Sequence, residues 1–528
     1  MLVGGLNFTV LRGNGTDTFS YLAMAGYLQH EPFSWAQTAS TQALIDKHSA
    51  YALAQQLFLL TRWATPIVLA WCSSLLHIPL YRFEYGFTVL FFMMLYGCTF
   101  VTALFLPIKS RYAALVATAV SVGFWAQLVL DIRAMSEISA LPILLLSVLI
   151  LSSIEKNKPD YLQQAWLGIT IAALGLLYVE ILPYFALGVL LFLSFKLLNR
   201  QESILNIVKK YGFASIIAVT LLFLTSGSYL IHLLTSQINM ALHFKNNWDQ
   251  AYFSWLYTNP VLGFWGLSGL DLNTRENHWW VFSLLKFLLF ILGIFLSIIF
   301  LYTAYFITFT KKNSSTILNI TLALLLATLI EFFYLFLGHQ RWAAGKIISY
   351  SYPFILLFIT AAGLNLLPQS NAAVILSRLG KYSVLLWLLI QCSLGFYRIG
   401  LASTGQEYPH YISHHGIYKK HDWDIKTIAQ ALKKNNAYSV ELLIPDEWYA
   451  EYLALALGWD IHVINNLKSI TVRTNNTLIK QTAIPIPRYV LVTRNYFCLR
   501  KSEILARNEE IVLVKTLQNA LTSCLTKQ

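Results

Sequence analysis

Charge is what this 528-residue sequence has least of: Asp, Glu, Lys and Arg together make up 12% of it, against roughly 25% in a soluble globular chain. A water-soluble domain of this length is excluded, because it could not cover its surface with so few ionic groups. Acids are the scarcer sign, 25 against 38 Lys and Arg, for a net charge of +13. Such an excess could point to nucleic acid. Here, however, many of the bases stand in short connections between apolar runs, where they set membrane topology, and no nucleic-acid partner is expected. Cysteine is sparse as well: five residues, scattered, with no Cys-x-x-Cys or His/Cys spacing, so no structural metal site is expected. The start, Met1-Leu-Val-Gly-Gly-Leu-Asn-Phe, lacks a basic region followed by a long apolar core. No cleavable signal peptide is expected, and residues 1–50 then have no span before them.

What the chain has in abundance is apolar surface, 57% hydrophobic and 15% aromatic residues with a mean hydropathy of +0.57. Stretches of about 17 to 25 apolar residues can cross the hydrocarbon core, and about ten are present: 85–106, 112–130, 137–153, 162–179, 181–198, 211–235, 281–308, 315–337, 345–366 and 380–400. Residues 53–80 are apolar but interrupted by Gln55, Gln56, Arg62 and Pro66. The positive-inside rule decides between crossing and lying in the interface. Lys109/Arg111, Lys156/Lys158, Arg200/Lys209/Lys210, Lys311/Lys312 and Arg378/Lys381 fall in alternate connections, so all can face the cytoplasm together. The connections at 131–136, 179–183, 236–280 and 338–346 then lie outside, with the N-terminal segment and the tail. Residues 53–80 then become short interfacial helices, the alternative being that 64–80 crosses and the N-terminus is cytoplasmic. The outer loop 236–280 carries Trp248, Tyr252, Trp255, Tyr257, Trp265, Trp279 and Trp280, suited to resting on headgroups or to stacking on a ring-bearing ligand.

After residue 400 the apolar runs shorten to strand length. A helix over 424–434, a second over about 445–457 and strands at 438–444, 459–463, 469–472, 489–493 and 511–514 predict a small α/β domain. Cys498 and Cys524 fall within it and could pair in an oxidising compartment. The expected architecture is thus a polytopic α-helical membrane protein, divided as 1–84 (outer segment with interfacial helices), 85–400 (transmembrane domain) and 401–528 (a small C-terminal α/β extramembrane domain).

Ionisable groups in or beside spans are costly and are functional candidates for that reason. Asp17 stands alone before an apolar helical pattern, as a reactive carboxylate or as a helix N-cap. Asp131 and Glu137 flank the point where the second span emerges, near Arg133. Asp131 could equally be a cap or a surface partner of Arg133. Glu180 lies at a tight outer joint, and Glu331 inside a span, where it could pair with Arg341 or Lys346. His339, Arg341 and Lys346 follow in Gly338-His-Gln-Arg-Trp-Ala-Ala-Gly-Lys. Acids from several outer connections with a basic cluster from another suit group transfer from a phosphate-linked lipid. A carboxylate can take the proton of an attacking hydroxyl, while Arg and Lys hold the phosphate as charge grows on it.

These features resemble the GT-C superfamily of integral-membrane glycosyltransferases. The resemblance is carried by Asp17-Thr-Phe-Ser-Tyr-Leu-Ala-Met-Ala-Gly-Tyr-Leu in a first outer loop, Lys109-Ser-Arg-Tyr-Ala-Ala-Leu, the acids Asp131 and Glu137, Tyr178-Val-Glu-Ile-Leu-Pro and the C-terminal α/β domain. It implies a polyprenyl-phosphate sugar as donor and a lipid, glycan or protein as acceptor. The reaction is one inverting displacement on the outer face of the membrane, for bacterial members the periplasmic face of the inner membrane. The general base falls on Asp17 and its support on Asp131 or Glu137, which in some branches holds a divalent metal. The paired acids usual in that first loop are absent, because Thr18 follows Asp17, and metal dependence stays open. A secondary transporter and a non-catalytic protein of envelope glycan assembly are the alternatives. The inverted repeat and the Gly/Pro-broken helices in matched halves that mark many transporters are not evident.

Overall fold

The computed structural model describes residues 16–40, 63–106, 108–131, 134–156, 160–227, 259–268, 279–310, 315–366, 373–404, 425–437, 439–444, 461–464, 489–493, 503–508 and 511–515, with isolated positions between. In chain order the helices are α1 (Thr16–His30), α2 (Phe33–Thr38), α3 (Ala64–Leu76), α4 (Leu80–Phe105), α5 (Ser110–Val122), α6 (Phe124–Asp131), α7 (Met135–Lys156), α8 (Tyr161–Leu177), α9 (Ile181–Leu198), α10 (Ile204–Ser226), α11 (Pro260–Phe264), α12 (Trp279–Thr310), α13 (Thr316–Leu337), α14 (Arg341–Ala361), α15 (Ala373–Thr404) and α16 (Lys426–Lys434). The strands are β1 (Ser439–Leu443), β2 (His462–Ile464), β3 (Tyr489–Thr493), β4 (Glu503–Arg507) and β5 (Ile511–Lys515). Nine helical stretches among the described residues are long and apolar enough to cross a membrane, with α8 a shorter apolar helix beside them. At 17 residues, α8 is about 25 Å long. The chain is an integral multi-pass membrane protein with a small C-terminal sheet.

Two compact units form, one from residues 1–87 and 417–528, the other from 88–416. In the first, Tyr27 of α1 stacks on Trp35 at 6.1 Å and meets Tyr51 edge-on at 5.1 Å. Gln29 donates to Ser73 and Ser74 of α3, at 3.2 and 3.0 Å, tying α1 to a helix of 13 residues, too short to cross about 30 Å of hydrocarbon. The sheet runs β2-β1-β3-β5-β4, parallel across β2, β1 and β3 and antiparallel from β3 to β5 and β4. Val490, Val492, Val512 and Val514 form its core. The strands at 439–443, 462–464, 489–493 and 511–515 and the helix at 426–434 match the alternation read from sequence. β4 does not: Glu503-Ile-Leu-Ala-Arg is flanked by charge and none of its residues is buried. Such a strand exists because it pairs with β5, which local pattern cannot show. Cys498, Cys524, the strand expected at 469–472 and most of the helix expected at 445–457 lie outside the described residues.

In the second unit, α7 packs on α8, α8 on α10, α9 on α13 and α13 on α14. The stretch 110–131 is continuous in hydropathy but broken in structure at Gly123. The break removes the helical hydrogen bond between the Phe124 N–H and the Val120 carbonyl. Inside a bilayer no water can replace it. Two distant side chains do so: Phe124 N–H donates to Gln391 Oε1 at 3.0 Å, and Tyr352 Oη donates to the Val120 carbonyl at 2.8 Å. Gln391 Nε2 also donates to the carbonyls of Trp265 and Gly266, at 3.2 and 3.0 Å. The close approach that permits this depends on Gly395, where an added Cβ would lie 1.7 Å from the Val122 carbonyl oxygen.

At one pole of this unit α7, α9 and α10 are clamped by an ionic group. Lys196 and Tyr211 donate to the carboxylate of Glu155, Lys210 lies 3.4 Å from it, and Lys210 also donates to Glu202. Glu155 is 2% exposed and its partners offset the cost of burying it. Burial raises the Glu202 carboxyl, but the hydrogen bond from Lys210 and the charges of Lys196 and Lys210 outweigh it and hold the group below its ordinary value.

Two outcomes follow from these contacts. Gln391→Leu leaves the Phe124 N–H and the Gly266 carbonyl without partners and should destabilise the protein by about 2–4 kcal/mol, read as a lowered unfolding midpoint in micelles. A group whose folded pKa is depressed stabilises above its unfolded pKa and loses that contribution as pH falls through the folded one. The drop in thermal midpoint between pH 5 and pH 3 should therefore be smaller for Glu202→Gln than for the parent protein.

Candidate functional site

Five helix ends of the 88–416 unit meet at the pole opposite the Glu155 group: the starts of α7, α9 and α14 and the ends of α8 and α13. Glu137 lies in the first turn of α7, fully buried. Lys346, in the second turn of α14, donates to its Oε2, and Ser349 donates to its Oε1 at 2.5 Å. Lys346 and Ser349 are three residues apart, so one helix face presents both to the same carboxylate. The pair holds α7 to α14 across 209 residues of sequence.

Aromatic rings surround the ammonium. Tyr178 and Trp342 lie 5.8 and 5.7 Å from Lys346 Nζ, within the range of cation–π attraction. Phe253 packs on Trp342 with ring centroids 5.0 Å apart. Its ring fills the space over Gly345, where an added Cβ would come within 2.5 Å of it. Tyr350, one turn beyond Lys346, sits between Tyr178 and Tyr184 at 6.1 and 5.5 Å. Glu137, Glu180 and Glu331 all lie within electrostatic reach of its phenol. The pole thus combines three carboxylates, three tyrosines and one buried lysine.

The residues read from sequence divide by position. Glu137, Glu180, Glu331 and Lys346 come together here. Lys346 pairs with Glu137 in the structure, while Glu331 lies within electrostatic reach of Tyr184. Arg341 opens α14 at the exposed edge, its guanidinium 5.7 Å from the Phe336 ring. His339 is exposed, in the left-handed region (φ 60°) at the tight connection of α13 to α14, where its backbone N–H donates to the Phe336 carbonyl at 3.1 Å. Trp265 is elsewhere in the unit: it is 2% exposed, its indole donates to Ser297 at 2.9 Å, and it packs on Trp387. Trp248, Tyr252, Trp255, Tyr257 and Arg133 lie outside the described residues. Asp131 is the last residue of α6, and Asp17 is the second residue of α1 in the other unit.

Tyr184, Tyr350, Trp342 and Ser349 were not singled out by sequence. Lys346-x-x-Ser349 at helical spacing is the one signal that could have raised Ser349. The tyrosines carry none, since aromatic residues are frequent throughout this chain. The metal question can be put to the donor set. Both oxygens of Glu137 are engaged, one by an ammonium that already supplies the positive charge. Among the described residues no group of three or more His, Cys, Asp or Glu could hold a metal ion. The described part of this pole does not fit a divalent cation.

No family model matches the chain, and no curated protein matches it. Among solved structures it is similar to ArnT from Cupriavidus metallidurans bound to undecaprenyl phosphate, with 11% identity over 86% of this chain and 87% of that one, at a TM-score of 0.34. It is also similar to the Archaeoglobus fulgidus oligosaccharyltransferase in its apo form, with 13% identity over 92% of this chain and 66% of that one, at a TM-score of 0.35. The same organism's oligosaccharyltransferase AglB, in complex with an inhibitory peptide and a dolichol-phosphate, gives 14% identity, the same 92% and 66% coverage and a TM-score of 0.29. All three are GT-C glycosyltransferases.

Removing one partner of a buried ion pair strands the other. Glu137→Gln and Lys346→Met should each cost about 3–5 kcal/mol of stability, and the double replacement by Met should cost less than either. Unfolding midpoints in micelles measure all three.

Proposed function

We propose that this chain is a membrane glycosyltransferase that moves a sugar from a polyprenyl-phosphate donor to a hydroxyl of a lipid, glycan or protein acceptor. The reading rests on the sequence resemblance and on one structural observation, the buried Lys346–Glu137–Ser349 group at a pole where five helix ends meet. An ammonium has three donors. Glu137 takes one, which leaves others for a phosphate oxygen, while Glu137 and Ser349 keep the side chain in place. Arg341, at the exposed edge of the same helix, is suited to meeting the phosphate first, with the planar fork that recognises such groups. Tyr178 and Trp342 offer ring faces to the sugar, with Glu180 and Glu331 as acceptors for its hydroxyls.

In the displacement, the acceptor oxygen forms a bond to the anomeric carbon as the bond from that carbon to the phosphate oxygen breaks. The configuration inverts, the acceptor proton passes to a carboxylate, and the polyprenyl phosphate leaves with the bonding pair. The carboxylate is assigned to Asp17 and its support to Asp131, both by resemblance. Glu137 acts by positioning Lys346. The loss of negative-charge dispersal on the phosphate would raise the barrier most, which is why the lysine is held in a dry site. Positive-inside counting orients this pole outward, toward the periplasm if the membrane is a bacterial inner membrane.

The test is turnover of a labelled polyprenyl-phosphate sugar by the purified protein in lipid vesicles. Asp17→Asn should lower kcat by about 100-fold or more, the contribution of a general base, with the donor KM unchanged. Arg341→Gln should raise the donor KM by about tenfold, equivalent to about 1.4 kcal/mol. Asp17→Asn at the parent rate removes Asp17 from the chemistry, and a parent protein that makes no glycosyl product from any such donor ends the reading.

A further inference from the structure

The pole built on Glu155 has a consequence for lipids that the proposed activity does not use. The connection from α9 to α10 turns sharply at Arg200, whose φ of 55° lies in the left-handed region. The turn closes with Arg200 N–H on the Leu197 carbonyl and Gln201 N–H on the Lys196 carbonyl, both at 2.9 Å. Helix ends of this kind take Gly at such a position because a Cβ is strained there. An arginine accepts that strain while its side chain stands exposed. Backbone strain held by a residue type the geometry does not favour points to a use for the side chain.

The surroundings indicate the use. Lys209 is exposed on the first turns of α10, beside Lys210, which is tied through Glu155 and Glu202 to Lys196. Lys156, adjacent to Glu155, is exposed as well. The two inner lysines are paired with the two glutamates, and among the described residues Arg200, Lys209 and Lys156 present their charges outward. Next to these bases the helices turn apolar and stay exposed, with Leu198 at 80%, Ile204 at 70% and Leu205 at 63%. Basic groups above an exposed apolar skirt match a molecule with an anionic head and two acyl chains. We propose that this pole binds the headgroup of an anionic phospholipid of the surrounding leaflet, with Arg200 and Lys209 as its contacts. Its charge places that leaflet on the cytoplasmic side, where anionic headgroups attract such bases. The ionic group on Glu155 ties the end of α9 to the start of α10, and so holds the connection that carries Arg200.

The experiment uses the full chain in zwitterionic micelles, titrated with phosphatidylglycerol, phosphatidylcholine or a polyprenyl phosphate, with thermal midpoint and native mass spectrometry as readouts. Phosphatidylglycerol should raise the midpoint and remain bound at one or two copies, and phosphatidylcholine should do neither. The variant R200G/K209Q should keep or exceed the parent midpoint without lipid, because glycine relieves the strained turn. It should lose at least half of the phosphatidylglycerol shift. An equal shift in parent and variant, or no preference for the anionic lipid, overturns the proposal. So does a shift that polyprenyl phosphate alone produces and the variant abolishes, which would make the occupant the donor lipid. Because the variant leaves the Lys346 pole untouched, its glycosyl transfer should remain at the parent rate.

Discussion

The constraint on which this structure turns is that a polar group buried in hydrocarbon must find its partner within the protein. The Lys346–Glu137 pair is the sharpest case. Neither residue could remain ionised at its depth alone, so α7 and α14 are bound to each other by the cost of separating them. Ser349 takes the second oxygen of the same carboxylate, and the rings of Tyr178 and Trp342 close over the ammonium. A lysine held this way keeps its direction, which a phosphate-binding group needs. The same constraint makes the pair costly to dismantle, so fold and chemistry rest on one interaction.

The two poles of the 88–416 unit answer that constraint differently. On the Glu155 side, two acids meet two lysines and a tyrosine, and the charge is balanced within the protein. On the Lys346 side, Glu137 is closed by Lys346 and Ser349, Glu180 and Glu331 lie within electrostatic reach of Tyr350, and Arg341 stands exposed at the rim. The first arrangement suits a clamp and the second a site.

Hydropathy carried the membrane part of the fold, because a span needs only length and apolarity to be read. The alternation of bases identified which helix ends lie together, and so brought Glu137, Glu180, Glu331 and Lys346 to one pole before any coordinates. What it could not supply is pairing. Nothing local in Lys346 says that its partner is Glu137, 209 residues away, and not Glu331, which is much closer in sequence. Trp265 shows the reverse failure: an aromatic residue in an outer loop reads as a ligand platform, yet its indole is satisfied by Ser297. The tyrosines went unseen because aromatic rings are common all along the chain. β4 went unseen because its reason for being a strand lies in β5.

The break at Gly123 bears on how the protein is made. The stretch 110–131 is apolar enough to enter a bilayer as it leaves the ribosome, but its backbone is incomplete until Tyr352 and Gln391 arrive, 232 and 267 residues later. The hydrogen bonding of this early span is therefore completed only when two late helices have joined it. The last spans synthesised set the final shape of one of the first.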